Sequence, residues 1–90
     1  ALHASCPDDM KYQVVEQLTE EFKKEYEVID INGARVLMGD GWGLVRASSN
    51  LPALVLRFEA KTKERLAVIE QLFREKLQRF DFVGKDWESA

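Results

Sequence analysis

Four short apolar runs separated by tight turns lie between residues 26 and 60, and they constrain the fold more than any other feature. The runs are too short for ordinary helices and are rich in branched and aromatic side chains, which favours strands. Asn32-Gly33, a strong hairpin signal, joins the first two runs, and Gly39-Asp40-Gly41 joins the second to the third. Links this short favour antiparallel pairing. The predicted strands span residues 26–31, 35–38, 42–47 and 53–60.

One amphipathic helix is predicted before the strands, over about residues 8–24. Its apolar positions recur every four residues and form one stripe. Pro7 and the acids Asp8 and Asp9 are suited to a helix start, where proline needs no N–H and acids complement the positive end. The stripe consists of Met10, Val14, Leu18 and Phe22, with Val15 beside them.

A second amphipathic helix is predicted after the strands, over about residues 63–79, with Thr62 as its N-cap. Its stripe consists of Leu66, Ile69, Phe73, Leu77 and Phe80. The order α-β-β-β-β-α predicts an α+β domain with a four-stranded, mainly antiparallel sheet and both helices on one face. We assign residues 1–83 to this domain and expect residues 84–90 to be a flexible tail.

The size and charge of the chain exclude several classes of protein. Ninety residues are enough for one domain. The net charge of −3 argues against nucleic acid or an anionic membrane as a partner, and no apolar run approaches the ~20 residues that span a bilayer. A single cysteine indicates a reducing, cytoplasmic setting. The chain starts at Ala1, which we interpret as a piece cut from a longer protein.

The two isolated reactive side chains, His3 and Cys6, do not indicate a catalytic or metal site. His3 has too few neighbouring ligands for zinc and no nucleophile to activate, and we expect Cys6 to be a packed bystander. The predicted site residues therefore include no catalytic residue and no metal ligand in this chain.

The segment from Arg46 to Pro52 is different, because it combines one guanidinium, two hydroxyls, one amide and several loop N–H groups. A phosphate is bound by such a set of donors in a tight concavity. Arginine's planar fork suits a phosphate better than a lysine does. The same residues are also common in ordinary polar turns, so the composition of the loop leaves both interpretations open.

The stretch GWGLVRASSNLPALVLRFEA, residues 41–60, resembles the C-terminal domain of the α-D-phosphohexomutases, in the bacterial phosphomannomutase/phosphoglucomutase group. The hairpin INGARV, residues 31–36, resembles the same family, and the similarity extends over about residues 8–80. Arg46 and Ser48 match the phosphate-binding Arg and Ser of the family, and Pro52 matches its proline. Ser49 stands where the family has Asn or Gly, and Asn50 stands where it has Thr.

This resemblance implies a four-domain parent enzyme that interconverts 1-phospho and 6-phospho sugars. It also implies a TATA-binding-protein-like fold for this domain, whose loop of Arg46, Ser48, Ser49 and Asn50 holds the phosphate that is not being transferred. The phosphosugar and the remaining domains are the implied partners, and Mg²⁺ is implied in the parent but not in this fragment, which we expect to be inactive alone. The competing hypothesis is a stand-alone α+β interaction or regulatory domain.

Overall fold

The computed structural model describes residues 1–89 as one antiparallel sheet with two helices packed on it. The elements in chain order are β1 (Leu2–Ser5), α1 (Lys11–Lys23), β2 (Glu27–Ile29), β3 (Ala34–Leu37), β4 (Gly41–Ala47), β5 (Ala53–Ala60), α2 (Lys63–Leu77) and β6 (Glu88–Ser89). The α+β class and the antiparallel sheet are therefore confirmed.

The sheet has six strands in the order β2-β3-β4-β5-β1-β6, so the prediction of four strands was wrong. β1 was missed because its sequence, LHAS, has no strand pattern of its own and becomes a strand by pairing with β5. β6 has only two residues, and it pairs with β1 through His3 and Glu88. The two missed strands lie beyond β5, with β1 next to β5 and β6 at the edge of the sheet.

The two helices bury their apolar stripes in one shared core on one face of the sheet. Phe22 of α1 and Phe73 of α2 lie with their ring centroids 4.8 Å apart, and Phe58 of β5 packs edge-on against Phe73. The stripe predicted for α1 is confirmed at Val14, Val15, Leu18 and Phe22. The stripe predicted for α2 is confirmed at Ile69, Phe73 and Leu77, whereas Leu66, in the first turn of the helix, is 36% exposed.

The helix boundaries differ slightly from the predicted ones. α1 begins at Lys11 rather than near residue 8, because the Pro7 carbonyl accepts from the N–H groups of Met10 and Lys11 in a preceding turn. α2 ends at Leu77, so Phe80 lies beyond it. The Thr62 hydroxyl accepts from the Arg65 N–H at 3.1 Å, which confirms the predicted N-cap.

The segment expected to be a flexible tail, residues 84–90, extends to Ala90, which lies outside the described residues. Up to Ser89 the segment contacts the domain. The Trp87 ring stacks on Phe58 with centroids 6.1 Å apart, and the Arg74 guanidinium lies 3.9 Å from the Trp87 centroid. The Gly84 N–H donates to the Ser5 carbonyl at 2.8 Å. The mobility of this segment in solution stays a prediction.

Candidate functional site

The loop between β4 and β5, residues 48–52, lies at the end of the sheet next to Arg46. Arg46 is the second-last residue of β4 and pairs with Val55 of β5. The Ser48 N–H donates to the Ala53 carbonyl at 2.9 Å, and this hydrogen bond closes the loop. The four residues expected to bind phosphate therefore lie in one tight turn and in the strand that enters it.

The carbonyl groups at the end of this loop are bound by other parts of the domain. The Leu51 carbonyl accepts a 2.9 Å hydrogen bond from Lys11 Nζ at the start of α1. The Pro52 carbonyl accepts a 2.9 Å hydrogen bond from the N–H of Cys6. A carbonyl turned towards a phosphate would repel it, and these bonds hold the Leu51 and Pro52 carbonyls to the domain instead.

Ser48 is buried and serves the turn itself. Its Oγ donates to Asn50 Oδ1 at 3.1 Å and accepts from the Leu51 N–H at 3.1 Å and the Asn50 N–H at 3.4 Å. In this arrangement a serine hydroxyl replaces a backbone carbonyl of a turn. Ser48 therefore stabilises the curvature of the loop in this structure.

An open groove of about 770 Å³ lies beside the loop, between α1 and the β2–β3 hairpin. Arg46 and Ser49 line this groove, whereas Ser48 and Asn50 are not part of the lining formed by the described residues. The remaining lining residues are Tyr12, Val15, Glu16, Thr19, Glu20, Asp30, Asn32, Gly33 and Ala47. The structure thus brings two of the four predicted residues to one surface and keeps Ser48 inside the turn.

Charge is distributed unevenly around this groove. Arg46 is exposed and forms no ion pair among residues 1–89. Asp30 is 2.7 Å from Lys23, and the hydrogen bond from this lysine, together with its charge, lowers the pKa of the Asp30 carboxyl. Glu16 and Glu20 lie on the α1 side. An anion that enters the groove is therefore attracted to the Arg46 end.

A second arginine lies on the same face of the sheet as Arg46. Arg57 of β5 pairs with Leu44 of β4. On this face of the sheet, that pair is the next one after the Arg46–Val55 pair in the direction away from the loop. Alternation along the strands places both arginines on the face opposite the buried Val45 and Leu56. Arg57 also forms no ion pair among the described residues. The surface beside the loop is consequently more basic than the net charge of the chain suggests.

Sequence reasoning missed Lys11, which is 5% exposed. Its Nζ bonds both the Leu51 carbonyl and Asp8 Oδ1, each at 2.9 Å. A signal was present, because Lys11 precedes Val14, Val15 and Leu18 by three, four and seven residues, the spacing of one helix face. A lysine in line with a buried stripe indicates an ammonium with a specific partner.

The isolated reactive residues stay outside this site. Cys6 is buried, and burial, followed by the nearby Asp9 carboxylate, raises the pKa of its thiol. Among residues 1–89, no group of three or more His, Cys, Asp or Glu side chains could hold a metal ion. No helix in this part of the chain is long and apolar enough to cross a bilayer.

Comparison with known proteins identifies the family of the chain. Residues 3–76 match the family model described as "Phosphoglucomutase/phosphomannomutase, C-terminal domain". The chain is 40% identical over 81 residues to a phosphomannomutase/phosphoglucomutase of Pseudomonas aeruginosa, covering 89% of this chain and 18% of that protein. It is 43% identical over 76 residues to a phosphoglucomutase of Neisseria gonorrhoeae, covering 81% of this chain and 16% of that protein.

A more distant relative is a probable phosphoglucosamine mutase of Methanopyrus kandleri. It is 33% identical over 75 residues, which cover 82% of this chain and 17% of that protein. The chain thus spans less than a fifth of the length of these relatives. It belongs to the phosphoglucomutase/phosphomannomutase family and corresponds to the C-terminal domain of that family.

Proposed function

We propose that the turn of residues 46–52 binds the phosphate group of a phosphosugar within a phosphohexomutase. The observation that carries this proposal is the orientation of the loop. The Leu51 and Pro52 carbonyls are bound by Lys11 and by the backbone of Cys6, while Arg46 and Ser49 are among the residues that line the open groove. A loop with two carbonyls bound elsewhere, beside an arginine that forms no ion pair among residues 1–89, is suited to an anion.

The residues of the site have different roles in this proposal. Arg46 supplies the planar fork that binds two phosphate oxygens. Ser49 supplies a hydroxyl, and Asn50 supplies its side-chain N–H₂, since its Oδ1 already accepts from Ser48. Ser48 maintains the turn and gains a direct role if its hydroxyl rotates towards the ligand. Arg57 adds positive charge on the same sheet face.

The parent reaction is the reversible interconversion of a 1-phosphosugar and a 6-phosphosugar. In such a reaction this domain binds the phosphate that stays in place, while other domains transfer the second one. Phosphoryl transfer depends on several positioned groups that act together. The described residues supply only one of these groups, so the fragment alone does not catalyse. The TATA-binding-protein-like fold also stays a prediction.

The remaining domains of the parent are the proposed protein partners. Two apolar side chains beside the groove are open to solvent, Ile31 at 77% and Tyr12 at 63% exposure. Large apolar side chains exposed near a site commonly mark a contact surface. A stand-alone interaction domain could display the same residues, but it would not need an unpaired arginine beside a turn whose carbonyls are bound elsewhere.

The test compares the affinity of arginine variants for inorganic phosphate and glucose 6-phosphate. The chain is expected to bind either one with a Kd near the millimolar range, because a few charge-assisted hydrogen bonds are offset by the cost of immobilising the ligand. Arg46→Ala should abolish measurable binding, and Arg46→Lys should restore only part of it. Lys63→Ala, which removes an exposed cation at the start of α2, is the matched control.

Two results contradict the proposal. One is an Arg46→Ala variant that binds phosphate as well as the unaltered chain. The other is turnover of glucose 1-phosphate by the fragment above the level of a mock preparation, since the fragment is expected to be inactive.

A further inference from the structure

Lys11 connects the start of α1 to the end of the loop of residues 48–52. The residue is 5% exposed, and its ammonium contacts the Leu51 carbonyl and the Asp8 carboxylate, each at 2.9 Å. Asp8 itself is open to solvent, with a side-chain exposure of 72%. Burying an ammonium is costly unless it has bonding partners, so the contacts of Lys11 define where this charge can lie.

Lys11 holds the carbonyl group of Leu51, and Ser48 holds its N–H group. The Leu51 N–H donates to Ser48 Oγ at 3.1 Å, and the Leu51 carbonyl accepts from Lys11 Nζ at 2.9 Å. Both peptide groups that flank this residue are therefore held. The Ala53 N–H donates to the same carbonyl at 2.8 Å, so the ammonium and a backbone donor point the carbonyl towards the body of the domain.

We propose that Lys11 is a positioning residue for phosphate binding, acting through the Leu51 carbonyl rather than by touching the ligand. This inference rests on the proposed function of the loop. Without Lys11 the Ala53 N–H is the remaining donor to the Leu51 carbonyl among the described residues. A carbonyl held less firmly can rotate towards the groove, where it would repel a phosphate dianion. The neighbouring N–H groups of Ser49 and Asn50 would then also lose their fixed direction.

The experiment measures the Kd of inorganic phosphate and the amide exchange rates of Asn50 and Leu51 in the 90-residue chain. The variants are Lys11→Met, which keeps an unbranched side chain one atom shorter and without charge, Lys11→Arg, which keeps the charge and donors, and Asp8→Ala, which removes only the exposed partner. Arg46→Ala is included to test the proposed function independently.

Lys11→Met is expected to weaken phosphate binding about tenfold, the effect of one charge-assisted hydrogen bond. It should also speed exchange at Asn50 and Leu51 while the amides of Leu56 and Phe73 stay protected. Lys11→Arg should recover most of the affinity, and Asp8→Ala should stay within about twofold because the bond to Leu51 remains. A role in general stability would not produce this selective exchange or this rescue.

The outcomes distinguish the positioning role of Lys11 from the phosphate-binding role of the loop. If Arg46→Ala abolishes binding but folded Lys11→Met keeps its Kd within about twofold, the role of Lys11 is overturned while the phosphate loop stands. If the unaltered chain does not bind phosphate, both are overturned. Should Lys11→Met fail to fold, Lys11→Gln, a shorter and neutral donor, takes its place, and an unchanged Kd in that variant overturns the role of Lys11.

Discussion

Gly33 of the β2–β3 turn lies directly against the backbone of Arg46. A Cβ atom added to Gly33 would approach Arg46 Cβ and the Val45 carbonyl oxygen to 2.5 Å each. Gly33 also has a φ of +108°, which side-chain-bearing residues rarely adopt. The hairpin turn therefore packs on the strand that carries Arg46, the arginine proposed to bind phosphate, and only a glycine fits at this contact.

Gly33→Ala is expected to lower the free energy of unfolding by about 2–4 kcal/mol, because backbone strain and a steric clash act together. It should also displace Arg46 and weaken phosphate binding. Urea unfolding measures the first effect and a phosphate titration the second. Gly39→Ala is the matched control, since Gly39 has a φ of +79° but no atom within 4 Å of an added Cβ. A Gly33→Ala loss no larger than that of Gly39→Ala would contradict the packing argument.

Trp87→Ala tests whether the C-terminal segment is held in solution. The indole stacks on Phe58 and lies under the Arg74 guanidinium. Removing a partly buried tryptophan with these contacts should lower the free energy of unfolding by about 1–3 kcal/mol. Urea unfolding is the measurement, with Phe82→Ala at a more exposed position as the control. An effect of Trp87→Ala below that of Phe82→Ala would show that residues 84–89 are the flexible tail first expected.

Glu21 should make stability depend on pH in the acid range. Burial acts to raise the pKa of its carboxyl, but hydrogen bonds from Arg79 and Gln17 and the charges of Arg79 and Lys76 lower it below its ordinary 4.5. A lowered folded-state pKa gives stability that is present above the ordinary value and lost as the pH falls towards the folded value. The Glu21 carboxylate contributes less than about 1 kcal/mol to the free energy of unfolding, since its ion pair with Arg79 is partly solvated.

The measurement is the free energy of unfolding of the Glu21→Gln variant and the unaltered chain between pH 7 and pH 3. The difference between the two proteins should be largest near neutral pH and should shrink below pH 4.5. Glu75→Gln, an exposed acid of α2, is the control. A difference that is constant over this range would show that the charge of Glu21 does not link the two helices.

The parts of the fold with a strong local pattern could be predicted from the sequence. The stripe of α1, the central part of the α2 stripe and the Asn32-Gly33 turn follow from side-chain spacing and turn chemistry, and Asn32 does adopt a positive φ of 55°. β1 could not be found from its own residues, because its pairing with β5 is a tertiary effect. An indirect signal was present in the apolar run Ala53–Leu56, which is buried on both faces, as expected of a strand with neighbours on both sides.

The residue types of the site were predictable, but their arrangement was not. Arginine, hydroxyls and an amide in one turn left an anion site and an ordinary polar turn both open, and the resemblance to a family implied phosphate binding. The hydrogen bond from Lys11 to Leu51 joins residues that are distant in sequence. The hydroxyl of Ser48 bonds a group of its own loop, where a free ligand would be an alternative partner. Such contacts depend on the packing of α1 and β1 against the loop, which the local pattern does not contain.

The most direct test of the phosphate loop is a map of amide chemical-shift changes during titration of the chain with glucose 6-phosphate. The largest changes are expected at residues 46–51, and they should decrease as the pH falls through the second phosphate pKa near 6, since the dianion binds better than the monoanion. Added salt should weaken binding, because Arg46 is solvent-exposed. Changes centred on α2 or on residues 84–89, or changes independent of phosphate charge, would contradict the assignment of this loop.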